Sequence, residues 1–270
     1  MTEAAPRAAA FFDLDRTLIS GSSVFALGWA AYRHGMMPTK DLIDDAVKSV
    51  TFVLRGASDE KAEGVKNRVL MAIEGVPVAD MRSLGEDIIP QLEADVRREA
   101  RGLVDLHHDA GRDTYIVSAS PIEIVGDFAE AIGLTGGLGT VAEVRHGVYT
   151  GKLAEPFCYG DGKADAIRKL ARERGYDLRL CYAYTDSLSD LPMLEAVGHP
   201  IAVNPDKGLE TVALQRGWPI VEFSRTRKKV VKRTTAAVGS VALAGAAFAI
   251  GWSQGKRAAR PKGLLGRLGG

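Results

Sequence analysis

Asp13 and Asp15 stand two residues apart at the end of a short apolar run, Ala8 to Phe12. If the extended backbone persists past Asp13, both carboxylates leave on one face and come close enough to share a cation. Mg²⁺ suits such a pair, because it takes oxygen ligands and keeps waters and a substrate phosphate in its shell. Taken alone, the pair also fits a loop or cap feature at a strand end. Three further groups lie along the chain. Ser118 closes the run Thr114 to Val117 and can donate its hydroxyl to a phosphoryl oxygen. A helix expected to open at Ser120, with Pro121 and Glu123 in its first turn, would aim free N–H groups at the same anion. Lys163, near the start of another helix after Asp161 and Gly162, offers positive charge to a transferring phosphoryl group. Asp186 and Asp190 follow the run Leu180 to Tyr184, one at the strand end and one about a helical turn on, where Ser189 and Asp190 could also serve as helix caps.

The elements that must carry these groups read as an α/β protein with a doubly wound parallel sheet. Ala8 to Phe12, Thr114 to Val117 and Leu180 to Tyr184 are compact apolar runs suited to buried strands, and each releases polar residues at its C-terminal end. Helices lie between them; Ala164, Ile167, Leu170 and Ala171 trace the apolar face of one that stops at Gly175. Alternating strands and helices imply a sheet covered on both faces, with ligands at the strand ends. Ser20 to Gly102 shows helical periodicity without a convincing strand and reads as an inserted helical cap, in which Phe25, Trp29, Tyr32 and Phe52 are expected to form core. Glu143 to Leu153 reads as a β-hairpin turning at His146-Gly147. His107 and His108 have no metal-type spacing and read as surface or helix-face residues.

The chain has 270 residues, 46% hydrophobic and 26% charged, which excludes a disordered, collagenous or disulfide-scaffold protein. Two cysteines, Cys158 and Cys181, far apart, argue for a reducing compartment. The net charge of +1 hides an asymmetry: eleven basic residues and no acid follow Glu222, which leaves the preceding chain ten charges negative. An acidic body gives no support to a nucleic-acid partner, whereas a basic tail beside an apolar stretch points to an anionic membrane surface. The apolar run near the N-terminus is too short for a signal peptide, so the body is expected in the cytoplasm.

F-F-D-L-D-R-T-L at 11–18, V-S-A-S at 117–120, Lys163 in G-D-G-K, and T-D-S-L-S-D-L-P-M-L at 185–194 together resemble the four motifs of the haloacid dehalogenase superfamily. The helical insertion and the hairpin are similar to its phosphoserine-phosphatase-like branch, the type IB hydrolases with a helical cap. The resemblance implies a catalytic core of residues 1–19 and 103–223, a cap of 20–102, and phosphomonoester hydrolysis through an aspartyl phosphate. It makes Asp13 the nucleophile and Asp15 the general acid and base, with Lys163 as the catalytic cation. Mg²⁺ would be held by Asp13, Asp186 and the backbone carbonyl of Asp15, with Asp190 orienting the water shell or Lys163. Thr17, Ser118 and Asn204 would assist by hydrogen bonds. Arg68 matches a cap arginine that meets a substrate carboxylate, and equally fits a solvated helix face. Dehalogenases of the superfamily lack the second carboxylate, so Asp15 selects phosphate esters. Phosphoserine phosphatases carry a Glu shortly after the first motif for the substrate ammonium, whereas Ser20 to Ser23 contains no acid. Ser118-Ala119-Ser120 replaces S-G-G, and Ser189 stands where an Asn is usual. The expected substrate is therefore a small phosphorylated metabolite, not strictly phosphoserine. A membrane-associated lipid-phosphate phosphatase is the alternative enzyme, and a non-catalytic, membrane-tethered regulatory protein is the rival from another class.

Beyond Phe223 the tail, 224–270, is basic, then rich in Ala and Gly, then basic again. Residues 234–254 form an uncharged stretch of 21 residues, about 32 Å as a helix and so just long enough to span a hydrocarbon layer. A spanning hydrophobic helix is expected there, with an interfacial helix as its competitor.

Overall fold

Phe11 and Phe12 are adjacent and both fully buried, which is possible only if layers cover both faces of their strand. The computed structural model describes residues 7–35 and 64–223, except Val65, Arg68 and Ala72. Within it, β1 (Ala9–Asp13) is followed by α1 (Ser23–Arg33), α2 (Val78–Asp95) and α3 (Arg98–Asp109). β2 (Asp113–Pro121), α4 (Ile122–Ala131) and β3 (Gly136–Thr140) come next, then the hairpin β4 (Ala142–Arg145) and β5 (Val148–Leu153). The chain continues through α5 (Asp161–Arg174), β6 (Tyr182–Thr185), α6 (Leu191–Glu195), β7 (His199–Val203), α7 (Lys207–Arg216) and β8 (Ile220–Val221).

Six strands form one parallel sheet in the order β3-β2-β1-β6-β7-β8. The order reverses between β1 and β6, so the crevice at their carboxyl ends is where an open α/β sheet binds ligands. Side-chain alternation sorts the strands between two cores. Phe12, Ile116, Tyr184 and Ile201 pack with α1, α2, α3 and α4; Phe11, Tyr115, Ala183 and Ala202 pack with α5, α6 and α7. Each buried phenylalanine contributes roughly 2 kcal/mol.

The doubly wound sheet expected from the sequence is therefore present, with details that differ. Strand β2 runs on to Pro121, which pairs with Thr140 of β3 after a register shift, and α4 opens at Ile122 without a side-chain cap. Ser120 is thus a strand residue, not a helix cap, and Ser118 stands four residues back from the helix start. The first core also joins inserted helices to the sheet: Ala26, Ala30, Leu84 and Ile88 share a cluster with Phe12 and Ile116. Helix α3 passes through residue 102 without a break. His146 (φ 51°) and Gly147 (φ 80°) make the expected tight turn, because both central positions of this hairpin turn need the left-handed region. The hairpin pairs with the chain entering α2, through Gly75 N to Tyr149 O at 2.8 Å and Tyr149 N to Val76 O at 3.0 Å, rather than with the main sheet.

His107 is not a surface residue. It is buried, its Nδ1 accepts from Arg112 Nε at 2.7 Å, and its Nε2 lies 2.8 Å from the Tyr184 hydroxyl. Phe25, Trp29 and Tyr32 are 48%, 38% and 37% exposed, so they are not the cap core; Phe52 lies outside the described residues. No helix among the described residues is long and apolar enough to cross a membrane, and 234–254 lies outside them.

Candidate active site

At the end of β1 the backbone does not stay extended. Leu18 N returns to Asp13 O and Leu14 O, Ile19 N returns to Leu14 O, and Arg16 adopts φ 65°. The turn, not a continued pleat, brings Asp15 beside Asp13. Both line one pocket with Arg16, Ser118, Lys163, Asp186 and Asp190. Asp15 Oδ1 accepts from Ser23 N at 2.7 Å, at the first residue of α1, where a helix has amides to spare.

Lys163 is delivered by the start of α5. A Cβ on Gly162 would sit 1.8 Å from Phe157 O, so only glycine lets the helix begin this close to the preceding chain. The buried ammonium bridges Asp13 Oδ1 at 2.6 Å and Asp190 Oδ2 at 2.8 Å, and Thr185 Oγ1 donates to the same Asp190 oxygen at 2.7 Å. Asp190 therefore holds the lysine instead of capping α6. Asp206 fixes the neighbouring loop: its N donates to Asp186 O at 2.8 Å, and its carboxylate accepts from Leu188 N and Leu209 N, both at 2.9 Å.

Burial pushes the Asp13 carboxyl up to about 8; Lys163 opposes the rise, and Asp190 and Asp186 add to it. Asp186 is pushed up to about 7 by burial, against the nearby Arg16, with Asp190 again adding to the rise. Asp15 is raised by burial against the hydrogen bonds of Ser23. For Lys163 the charges and hydrogen bonds of Asp13 and Asp190 outweigh burial and hold it above the ordinary lysine range. The Lys163 ammonium thus stands between two buried carboxyl groups, with Asp186 and its ion-pair partner Arg16 lining the same pocket.

A cation fits this donor set. Asp186 Oδ2 is buried and, besides its ion pair with Arg16, makes no hydrogen bond. Among the described residues no three His, Cys, Asp or Glu side chains converge as a metal cage by themselves.

The structure thus brings together Asp13, Asp15, Ser118, Lys163, Asp186 and Asp190. Ser118 is buried, and its Oγ accepts from Ser120 N at 3.2 Å. Asn204 is not brought into the pocket. Its Oδ1 accepts from Phe223 N at 2.9 Å and its backbone donates to Val221, tying β7 to β8. Thr17 is buried outside the pocket lining, and its Oγ1 has no hydrogen-bond partner among the described residues. Arg68 lies outside the described residues. Sequence reasoning missed Arg16, Ser23, Thr185 and Asp206. The signal for Arg16 was a basic residue inside D-x-D-x-T; that for Asp206 was an Asp just before a helix.

Residues 10–195 match the family described as haloacid dehalogenase-like hydrolase. A probable phosphatase of Mycobacterium tuberculosis is 41% identical over 89% of this chain and 86% of its own length. A phosphoserine phosphatase of the same organism is 39% identical over 90% of this chain and 80% of its own. A solved structure of a protein of unknown function from Bordetella pertussis covers 80% of this chain and 99% of its own, with 27% identity and a TM-score of 0.70. With four pocket loops in the family's order and a match across most of its length, this chain belongs to the haloacid dehalogenase-like hydrolases.

Proposed function

We propose that the chain is a phosphatase that hydrolyses phosphomonoesters through Asp13 with the help of Mg²⁺. The observation that carries this reading is the buried Asp13–Lys163–Asp190 bridge lining a pocket shared with Asp15, Ser118 and Asp186. Similarity to proteins named as phosphatases supports it.

Lys163 and the Thr185-anchored Asp190 fix the Asp13 carboxylate, and Ser118 offers its hydroxyl to a phosphoryl oxygen. Asp13 attacks phosphorus in line, forming a P–O bond as the ester P–O bond breaks. Asp15, raised by burial and so able to carry a proton, gives it to the departing oxygen. It then takes a proton from water as that water attacks the aspartyl phosphate, releasing inorganic phosphate and restoring Asp13. Asp13, Asp186 and the Asp15 carbonyl would hold Mg²⁺, with Asp190 behind them; when bound, the ion neutralises phosphoryl oxygens in the transition state.

Among the described lining residues contributed by the segment after the first motif, Ser22 and Val24 carry no acid, which supports a leaving group without an ammonium, so a small phosphorylated metabolite other than phosphoserine is the preferred substrate. The exposed Phe25, Trp29 and Tyr32 on α1, the helix that also supplies Val24 to the pocket, favour a lipid phosphate as the second reading. Release of phosphate from an aryl phosphate and a panel of metabolite and lipid phosphates, with Mg²⁺, tests both. Wild type no more active than Asp13→Asn across the panel overturns the enzyme reading, and a preference for phosphoserine overturns the substrate argument.

A further inference from the structure

Arg16 occupies an unusual position. Its φ of 65° is sterically disfavoured for any residue with a Cβ, yet its side chain lines the pocket and ion-pairs with Asp186. Its backbone N donates to Gly21 O at 3.3 Å, and the same loop is pinned from outside by Arg97 N to Leu18 O at 3.0 Å and Ser20 N to Asp95 O at 2.9 Å. The Arg16 backbone is therefore held in place whatever its side chain does. That side chain is 39% exposed, whereas its partner Asp186 is 5% exposed. Asp186 is thus a fixed, buried anion, and Arg16 a tethered cation with room to move.

We propose that Arg16 is the internal counter-cation of Asp186, which competes with a divalent cation for that carboxylate and, once displaced, serves as an additional recognition residue for the substrate's anionic group. This rests on the phosphatase reading and deepens it. Arg16 sits on Asp186 Oδ2, the buried oxygen that makes no hydrogen bond among the described residues, so a cation that takes this oxygen displaces the guanidinium from it. A cation on Asp186 therefore frees a guanidinium at the pocket rim, and its planar donors match a phosphoryl oxygen pair. Metal and anion binding are then coupled, each tightening the other.

The test is calorimetric and does not need turnover. Mg²⁺ is titrated into wild type, Arg16→Gly and Arg16→Lys, and inorganic phosphate into each at saturating Mg²⁺. Glycine tolerates the left-handed backbone and removes the charge; lysine keeps the charge and loses the fork. Arg16→Gly should bind Mg²⁺ about tenfold more tightly and phosphate about tenfold more weakly, the size of a partly solvated charge-assisted hydrogen bond. Arg16→Lys should fall between wild type and Arg16→Gly in both titrations. An Arg16→Gly protein with Mg²⁺ affinity equal to or below wild type overturns the competition, and unchanged phosphate affinity overturns the recognition role. Wild type that binds no Mg²⁺ overturns the cation reading of the site and this proposal with it.

Discussion

Acidification from pH 7 to pH 5 should destabilise the fold by about 2 kcal/mol through His107 alone. Arg112 Nε donates to Nδ1 of this buried ring, so the ring is neutral, carries its proton on Nε2 and donates it to the Tyr184 hydroxyl. Burial, with the charges of Arg112 and His108 adding, holds its pKa at about 4. In the unfolded chain the value is about 6.5. Between the two, the unfolded state binds a proton that the native state refuses, so the stability is present above 6.5 and is lost as pH falls towards 4. Two populations linked in this way differ by roughly 2 kcal/mol at pH 5 and by about a tenth of that at pH 7. Asp13 and Asp186 act in the opposite sense, because their raised native values favour the proton-bound folded state as pH falls. The comparison must therefore be between proteins and not only between pH values. Urea unfolding of wild type and His107→Gln at pH 7 and pH 5 isolates the term, since glutamine can donate to Tyr184 and accept from Arg112 without titrating. Wild type should lose about 2 kcal/mol more than the variant across this range; equal losses would refute the assignment of a neutral, buried His107.

Gly162→Ala should lower kcat by on the order of 10²-fold, because the start of α5 must retreat from Phe157 O and carries Lys163 with it; an unchanged kcat would show that the helix start does not position the lysine. Asp15→Asn should still be phosphorylated on Asp13 by a substrate with a good leaving group but turn over slowly. Acid-quenched mass spectrometry checks this, and phosphate found on Ser118 would contradict it. The tail should keep the full-length chain in the membrane fraction after a carbonate wash, while a chain ending at Phe223 stays soluble; full-length protein that is soluble at physiological salt would refute membrane attachment.

Three buried strands were legible as apolar runs: β1 at Ala9–Asp13 differs by one residue from the run read as Ala8 to Phe12, whereas the run read as Leu180 to Tyr184 enters β6 only at Tyr182, and β7 at His199–Val203 was not read. Nor was strand β3, because its sequence, G-G-L-G-T, has little strand propensity. Its glycines answer to tertiary contact instead: a Cβ on Gly137 would meet Val125 at 2.7 Å, and one on Gly139 would meet Ile122 at 2.8 Å. The same separation between local signal and cause applies at the site. Asp13, Lys163 and Asp186 announce themselves by position at strand ends and helix starts. Thr185 and Asp206 gain their roles only when folding brings Asp190 and Leu188 to them. His107 finds Tyr184 across 77 residues of chain, and the local sign of its burial was its place on the face of α3 that also carries Ala100 and Val104.

The hydrophobic cluster that joins Ala26, Ala30, Leu84 and Ile88 to Phe12 and Ile116 has a consequence for recombination. Exchanging residues 20–102 for the corresponding segment of a relative would cut through α3 and replace one wall of the core beneath the sheet. Such a chimera would have to match foreign side chains to a close-packed interior, where a mismatch of one methylene is felt. The inserted helices therefore do not behave as an interchangeable cartridge. Specificity in this chain should diverge by point changes on outward faces, such as the exposed side of α1, while the inward faces stay matched to the sheet.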